Sequence, residues 1–477
     1  GARAGGSRTA GTGPGYGGCP CLDEESAEDS SSGSSSSVPS QTPSDSEESP
    51  GSVSQFDAYF ALVKGNLGPG VLALPFAFSQ AGWSAGLPVL LLVVAQGVYA
   101  MLVLAECKRA VAKPGVEDLG DMANAALGRC GRHAADIFVF IVQSGVCVCF
   151  VNLVAGDLTE STGLLDRKMM TFFLAPFFTL LALLRFVAQL GWLNKLGSVA
   201  MAIAVVTGTA CGASRLHEIG WGAFLERSAP NRPFSDSVIL ASSVFFAFEG
   251  LGIVLPIEKE MARPSTFPRV VTLASMTLAA AFISVAFTCG IAYRGELQSG
   301  SIVAFLAAQP GTGASHRFLQ AADALVTAAV FLTYPLQLLP AAEILGKWVC
   351  CGAEEERTVA CTGAGDAAAE EGQAPPSAVG VASLLPPWVL VRLALVAASV
   401  VLALTVDNVT LLVSLFGAVG QTGLGMLSPL CHLALMRSGV LPRSAFRTVL
   451  NVLIVGFCAL IMVFGTYFAF MDIKAAW

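Results

Sequence analysis

Charged side chains are scarce in this chain of 477 residues, of which 13% are charged and 54% are hydrophobic. A soluble globular protein carries about 25% charged residues. The deficit excludes an ordinary soluble domain and places the chain among membrane proteins. The net charge of −7 is concentrated at one end, because eight of the 34 acidic residues fall within the first fifty positions.

Several signatures of catalysis and of metal or nucleic-acid binding are also missing. The four histidines are dispersed, and no cysteine–histidine spacing of the kind that binds zinc is present. No set of nucleophile and base is recognisable, so an enzyme is disfavoured and no cofactor or metal is expected. No stripe of basic residues suits a nucleic acid. Most of the 13 cysteines lie in apolar runs, where they act as small hydrophobic side chains.

What the chain does contain is a series of about eleven apolar runs, each near the roughly 20 residues that a helix needs to cross a bilayer. These runs predict an all-α integral membrane protein embedded in the lipid bilayer. The predicted organisation is a disordered, acidic, serine-rich tail (1–55), eight transmembrane helices (56–348), a flexible linker (349–383), three more helices (384–470) and a C-terminal tail (471–477).

The loops between the runs differ in their content of lysine and arginine, and this difference predicts the orientation. The densest group of cations, between Lys108 and Arg132, follows the second run. Loops rich in lysine and arginine stay on the cytosolic side of a membrane. We therefore expect the N-terminus in the cytosol and the C-terminus on the opposite side.

The first run, residues 56–82, has a poor helix sequence at its centre. Residues 64–70 read KGNLGPG, with three glycines and a proline, and such a sequence disfavours a continuous helix. Non-helical backbone within a membrane is tolerated only where it is buried in protein or lines a cavity. We predict two half-helices, at about residues 56–64 and 71–79, with an unwound hinge between them. The alternative is a single helix kinked by its proline.

The sixth run is interrupted in the same manner. Glu249, Gly250 and Gly252 lie at its centre, and an ionisable side chain within a membrane usually marks a functional site. The alternative role for Glu249 is a structural ion pair, for example with Lys64. Two interrupted runs five helices apart are typical of an inverted repeat of five plus five helices, in which both breaks meet at the midplane of the membrane.

Five stretches carry a resemblance to a known family. They read VKGNLGPGVLALPFAFSQAG (63–82), SGVCVCFVNLVAGDL (144–158), FAFEGLGIVLPIEKEM (246–261), TYPLQLLPAAE (333–343) and GAVGQTGLGMLSPLCH (417–432). In this order they resemble motifs of the amino acid/auxin permease family, and more narrowly of its proton-coupled amino acid transporter branch and of the plant vacuolar amino acid exporters.

The resemblance covers residues 56–470 and implies amino acid transport. It also implies about eleven helices in the leucine-transporter-like fold, with helices 1 and 6 broken. Pro69 departs from the family pattern, because many relatives have glycine or a small hydroxyl residue at this point. The proline removes one NH group from the hinge and could shift the substrate preference.

The candidate substrate site is built from both breaks. Free NH groups at a helix N-terminus attract anions, so those of Gly68, Gly70 and Val71 would bind the substrate carboxylate. The residues expected to contact the substrate are Gly65, Asn66, Leu67, Gly68, Gly70, Phe246, Phe248, Gly250 and Tyr334. Lys64 and Glu249 are the candidates for coupling or for orienting the hinge. The secondary candidates, equally suited to interhelical hydrogen bonds, are Gln143, Ser144 and Asn152.

Together these features predict a secondary active transporter that moves small neutral amino acids by alternating access, with the proton as coupling ion and a monomer as the transport unit. The resemblance leaves open whether the membrane is vacuolar or lysosomal, or the plasma membrane. Sodium coupling is an alternative that would need a cage of oxygen ligands, to which Ser243, Thr327 and Thr333 could contribute. An amino acid sensor that signals through its cytosolic tail is an alternative from another class.

Overall fold

The computed structural model describes residues 53–68, 70–113, 115–184, 191–227, 229–248, 250–297, 300–310, 314–362, 386–406 and 408–475. Within these ranges the regular structure is helical, and the one β-type pairing is a bridge between Val53 and Met261. The predicted tail up to residue 52, the linker from residue 363 to 383, Pro69 and Glu249 lie outside the described residues.

Fifteen α-helices follow one another along the described chain. Their bounds are α1 Gln55–Asn66, α2 Gly70–Val111, α3 Leu119–Leu127, α4 Arg129–Thr162, α5 Arg167–Leu183, α6 Gly191–Glu226, α7 Pro233–Ala247, α8 Val254–Glu260, α9 Phe267–Ala292, α10 Ile302–Ala308, α11 Ala314–Thr362, α12 Pro387–Thr405, α13 Val409–Phe416, α14 Thr422–Ser438 and α15 Ala445–Ala475. A 3₁₀ turn, Gly250–Ile253, leads into α8, and a π turn, Gly417–Gln421, joins α13 to α14.

Nine helical segments in the described part of the chain are long and apolar enough to cross a membrane. The first of them, α2, is broken at Gly82, whose φ of 68° suits glycine and strains other residues. Its first part therefore completes the crossing that α1 begins, and its second part forms another. The described helices confirm the all-α membrane fold. If the 17-residue, apolar α5 is counted as a further crossing, this division gives eleven, in line with the predicted number of about eleven.

Helix α11 is longer than predicted. It ends at Thr362, so residues 349–362, which the composition predicted to be the start of a flexible linker, continue the helix. Alanine and glutamate are frequent in this stretch, and both are strong helix formers. Their low hydrophobicity marks the end of the membrane-spanning part rather than the end of the helix.

Large apolar side chains cover the outside of the helical bundle. Phe172 of α5 is 74% exposed and Phe446 of α15 is 76% exposed, and each has several exposed apolar neighbours on its own helix. Exposed apolar surface of this extent is unusual in a soluble monomer. It fits a surface that contacts lipid tails.

The π turn Gly417–Gln421 lies where three crossings approach one another closely. A Cβ atom on Gly417 would lie 2.0 Å from the carbonyl oxygen of Ser242 in α7, and one on Gly145 in α4 would lie 2.2 Å from the ring of Phe416. Only residues without a side chain permit such contacts. The tenth crossing, which consists of α13, the π turn and α14, is thereby held against α7. This contact lies just before the break in the sixth crossing, which consists of α7 and α8.

Candidate functional site

The first crossing is broken where the sequence predicts, but over a shorter length. Helix α1 ends at Asn66, Leu67 leaves the helix with φ −91° and ψ 71°, and α2 begins at Gly70. Gly65 and Asn66 were predicted to be unwound, yet with Lys64 they form the last turn of α1. The NH of Leu67 closes this turn by donating to the carbonyl of Val63 at 3.0 Å.

One of the three predicted carboxylate donors is already used. The NH of Val71 donates to the carbonyl of Gly68 at 3.2 Å, so it is not open to a ligand. The amides of Gly68 and Gly70 remain the candidates at the start of α2. An anion at this point would also benefit from the positive end of the α2 dipole.

The second break follows α7 directly. This helix ends at Ala247, and Phe248 leaves it with φ −97° and ψ 65°. The 3₁₀ turn Gly250–Ile253 then leads into α8. Glu249, the predicted coupling residue, lies outside the described residues, so its role stays a prediction.

The two breaks are in direct contact. A Cβ atom on Gly250 would lie 2.2 Å from the side-chain nitrogen of Asn66, and one on Gly65 would lie 2.2 Å from Cδ1 of Ile253. A Cβ atom on Gly70 would lie 3.1 Å from the ring of Phe246. The glycines that interrupt the first and sixth crossings therefore also allow the two interruptions to touch, as an inverted repeat requires.

Two buried amide side chains surround this junction. Asn66 is 1% exposed, and its Nδ2 donates to the carbonyl of Leu62 at 2.8 Å. Gln421 of the π turn is also 1% exposed, and its Nε2 donates to the carbonyl of Phe248 at 3.1 Å. The side-chain oxygens of both residues have no hydrogen-bond partner among the described residues. A buried acceptor without a donor is costly, so both oxygens are suited to the ammonium group of a ligand.

Gln421 was not among the predicted site residues. Neutral amides are common in membrane helices, where they often bridge neighbouring helices. The signal that could have identified it is its position in the glycine-rich stretch GAVGQTG, because the glycines allow the tenth crossing to approach the break in the sixth.

The two predicted phenylalanines differ in their placement. The ring of Phe246 lies against the start of α2 at Gly70, and its Cβ lies against the π turn at Gly417, so this side chain lies beside the first break. The ring of Phe248 instead lies over Gly97 of α2 and packs edge-to-face on Phe282 of α9, with ring centres 6.4 Å apart. We therefore assign Phe246 to the site, whereas Phe248 contributes its backbone carbonyl.

Two other predicted site residues, Asn152 and Tyr334, make contacts between helices. The Nδ2 of Asn152 donates to the carbonyl of Val406 at 2.6 Å, and its Oδ1 accepts from Arg167. The ring of Tyr334 is fully buried and packs edge-to-face on Phe178, with centres 4.8 Å apart. Among the described residues these contacts join α4 and α11 to other helices and do not reach either break.

Three further candidates lie on α1 and α4. Lys64 is half-buried and lies close enough to Lys195 of α6 for the two charges to interact. Gln143 and Ser144 are half-buried on α4, next to the glycine that contacts Phe416. The latter pair therefore borders the π turn rather than the junction of the breaks.

A cavity of about 330 Å³ opens beside the N-terminal end of α7. It is lined by residues of α2, α7, α13 and α15, among them Phe76, Gln80 and Thr410. At its rim the guanidinium of Arg232 donates to both carboxylate oxygens of Asp472, at 2.8 and 2.7 Å, and to Asp236 at 3.0 Å. This cavity lies at the end of α7 opposite to the second break.

The other end of the sixth crossing is tied to α2. Arg109 donates to Glu258 at 2.8 Å, and Lys108 donates to the carbonyl of Leu255 at 3.1 Å. Val53, just before α1, pairs through its backbone with the residues that flank Met261. The half-helices α1 and α8 are therefore held together at the end of the bundle opposite to the cavity.

Comparisons with known proteins agree with this architecture. Residues 51–471 match the family model described as "Transmembrane amino acid transporter protein". The chain is 27% identical to Amino acid transporter AVT3A of Arabidopsis thaliana over 301 residues, which is 60% of this chain and 66% of that protein. It is 24% identical to Vacuolar amino acid transporter 4 of Saccharomyces cerevisiae, over 62% of this chain and 41% of that protein.

Among solved structures, the crystal structure of MhsT in complex with L-phenylalanine has a similar fold. The TM-score is 0.55 at 12% identity, and the alignment covers 88% of this chain and all of MhsT. Identity this low supports the fold alone. The leucine-transporter-like architecture predicted from the two broken runs is confirmed.

Proposed function

Since this chain belongs to the transmembrane amino acid transporter family, we propose that it carries amino acids across a membrane by alternating access. It is a transporter rather than an enzyme. The observation that supports the mechanism is the contact between the two breaks, where Gly250 lies against Asn66. A site at this point can be reached from either side in turn, because the half-helices on each side move around it.

The substrate in this proposal is a zwitterion that spans the junction. Its carboxylate lies at the start of α2 and accepts from the amides of Gly68 and Gly70. Its ammonium group donates to the buried oxygens of Asn66 and Gln421, which have no other described donor. The two ends of the substrate thus satisfy groups that would otherwise stay unpaired in the membrane interior.

Small neutral side chains suit the rest of the junction. The neighbouring side chains Phe246 and Ile253 are apolar, and glycine is the only residue that fits at positions 70 and 250 without displacing its neighbours. Apolar lining rejects charged side chains because they would lose their hydration. A narrow, apolar pocket therefore favours substrates such as alanine or proline over arginine or glutamate.

In this proposal the coupling ion is a proton and the transport unit is a monomer. The proposed location is a vacuolar or lysosomal membrane. Relatives named as vacuolar amino acid transporters support the location. We place the N-terminus in the cytosol, on the side where the loop with Lys108 and Arg132 lies. Glu249 remains a predicted coupling residue, and E249Q with unchanged pH dependence of uptake would remove it from that role.

A reconstitution experiment tests the proposed function. The full chain is placed in liposomes, and uptake of each of twenty labelled amino acids is measured with and without a pH gradient. We expect saturable uptake of small neutral amino acids that increases when the gradient is imposed. Binding without any flux would contradict the proposal and favour a sensor, and uptake driven by a sodium gradient would contradict proton coupling.

A further inference from the structure

Two buried aspartates, Asp157 of α4 and Asp323 of α11, lie near each other where these helices pack together. Asp157 is 3% exposed and Asp323 is 2% exposed, and their carboxylates are close enough to interact electrostatically. The hydroxyl of Thr327 donates to Asp157 at 3.1 Å, and the hydroxyl of Ser161 donates to Asp323 at 2.9 Å. Both aspartates lie within helical segments that cross the membrane.

Among the described residues, no cation lies within ion-pair distance of this carboxylate pair. The charged groups that act on the pair are Glu160, which adds negative charge, and Arg167, whose guanidinium donates to both oxygens of Asn152. Helices α10 and α13 carry no charged side chain, and the one cation of α12, Arg392, donates to the carbonyl of Ala182.

The hydrogen bonds around Ser161 need one more proton than the described donors supply. Its hydroxyl lies within hydrogen-bond distance of two acceptors, the backbone carbonyl of Asp157 at 2.7 Å and the carboxylate of Asp323 at 2.9 Å. A serine hydroxyl has a single hydrogen, so it satisfies only one of them. If Asp323 carries a proton, its O–H donates to Ser161, and Ser161 donates to the carbonyl of Asp157.

One carboxylate oxygen of the aspartate pair also lacks a hydrogen-bond donor among the described residues. Oδ1 of Asp323 is buried and has no hydrogen-bond partner among the described residues. Two uncompensated negative charges in a membrane interior are costly. A bound cation removes that cost, and a proton is the cation that also completes the hydrogen bonds of Ser161.

We propose that Asp157 and Asp323 form the site that carries the coupling proton. The carboxylate of Asp323 takes up one proton to become a carboxylic acid, and it releases the same proton on the other side of the membrane. Ser161 is exposed at the end of α4, so it offers the proton an entry from solvent. This inference rests on the proposed transport function and adds the residues at which the proton is held.

Coupling follows from the position of the pair between two long helices. Hydrogen bonds between Ser161 and Asp323 and between Thr327 and Asp157 join α4 to α11. With the proton bound, one carboxylate of the pair is neutral. Without the proton, two like charges repel across the same contact. Proton binding therefore changes how closely the two helices approach, and this contact is one that alternating access can use.

The test separates exchange from accumulation in liposomes that contain the full chain. Exchange of labelled for unlabelled alanine at equal pH requires only substrate binding and alternating access. Accumulation driven by a pH gradient also requires the proton site. In D323N and D157N we expect exchange within about twofold of the parent, while the accumulation ratio falls to about one. D166N, which changes an exposed aspartate before α5, is the matched control and keeps the gradient response.

A pH-sensitive dye inside the liposomes gives a second reading, because alanine entry should acidify the lumen for the parent and not for D323N. Gradient-driven accumulation that persists in D323N would overturn the inference while leaving the transport function intact. A folded D323N that loses exchange as well would assign the pair to helix packing and overturn it too. Accumulation driven by sodium instead of a pH gradient would exclude the proton as occupant.

A parent protein without exchange would overturn the transport function itself. If D323N does not fold, S161A and T327V take its place, because they remove the hydroxyl donors and retain both carboxylates. We expect each to keep exchange and to shift the pH at half-maximal accumulation. An unshifted pH dependence in both would overturn the inference.

Discussion

The side-chain amide of Gln421 donates to the backbone carbonyl of Phe248 at 3.1 Å, and this bond joins the tenth crossing to the break in the sixth. The carbonyl is freed by the end of α7 and is buried with its residue. A freed carbonyl within a membrane needs a donor. Gln421 therefore stabilises the break and presents its own unpaired oxygen to the substrate.

Replacing Gln421 with leucine should impair both roles. The carbonyl of Phe248 would lose its described side-chain donor, at a cost of about 1–3 kcal/mol in stability. The ammonium group of the substrate would lose an acceptor, so we expect the apparent affinity for alanine to fall by about tenfold or more. Both effects are measurable, by thermal unfolding in detergent and by the concentration dependence of exchange.

Gln96 provides the matched control for this substitution. It is also buried, and its Nε2 donates to the carbonyl of Gly425 at 3.2 Å, which joins α2 to α14. Q96L should therefore lower stability by a similar amount without changing the affinity. Equal loss of affinity in Q96L and Q421L would show that Gln421 acts only as a helix contact.

Gly250 should not tolerate a side chain, whereas Gly252 should. A Cβ atom on Gly250 would lie 2.2 Å from the amide of Asn66, and nothing lies within 4 Å of one on Gly252. G250A would push Asn66 away from Leu62 and open the junction, at about 1–3 kcal/mol for overpacking. We expect exchange by G250A to fall at least about tenfold and exchange by G252A to match the parent. Normal exchange by a folded G250A would contradict the proposed site.

The breaks themselves could be predicted from the sequence, because in each of these two runs polar or charged residues, glycines and a proline lie close together, and such a cluster opposes helix formation. The length of the unwound segments could not be predicted. Gly65 and Asn66, which were predicted to lie in the hinge, remain helical because the NH of Leu67 closes the last turn of α1 by donating to the carbonyl of Val63. Such a closing bond depends on geometry that composition does not reveal.

The partners of polar residues were harder still to predict. Asp157 and Asp323 lie on helices far apart in the chain, and only the packing of α4 along α11 brings them together. Phe248 was assigned to the substrate because it lies beside the interruption of the sixth run, but its side chain turns toward Gly97 and Phe282. Side-chain direction at a break depends on the exact backbone angles, which the sequence does not specify.

Asp121 should give α3 a pH-dependent stability. Burial acts to raise the pKa of this carboxyl, but the NH groups of Glu117 and Asp118 and the guanidinium of Arg132 outweigh it, so the pKa is lowered. A lowered pKa in the folded state contributes stability above the ordinary value near pH 4, and that contribution is lost as the pH falls through the folded pKa.

The variant D121N should therefore be less stable than the parent at pH 7, by about 1 kcal/mol. The difference should shrink as the pH falls below about 4, where this carboxyl takes up a proton in the unfolded chain before it does so in the folded protein. Unfolding temperatures measured from pH 3 to pH 7 test this, with D166N as an exposed aspartate for comparison. A difference that is constant with pH would mean that the charge of Asp121 contributes nothing.

The pairing of Val53 with the segment after α8 should be essential for α1, and two truncations separate it from the preceding tail. Val53 donates to Glu260 at 2.9 Å and accepts from Ala262 at 2.9 Å, and Ser54 caps α1 by accepting from the NH of Asp57 at 3.1 Å. Removal of residues 1–52 leaves all three bonds in place. Removal of residues 1–54 takes them away, and with them the link between the half-helices α1 and α8.

The longer truncation should therefore loosen one end of the first crossing. Loss of the cap alone costs about 1 kcal/mol, and the amide of Ala262, deprived of its acceptor, should exchange with deuterium faster. Because α1 and α8 then no longer move as one unit, we expect slower exchange of alanine. The shorter truncation should match the parent in both measurements. Equal behaviour of the two truncated proteins would mean that α1 is held by its packing against α9 rather than by the backbone bonds of Val53.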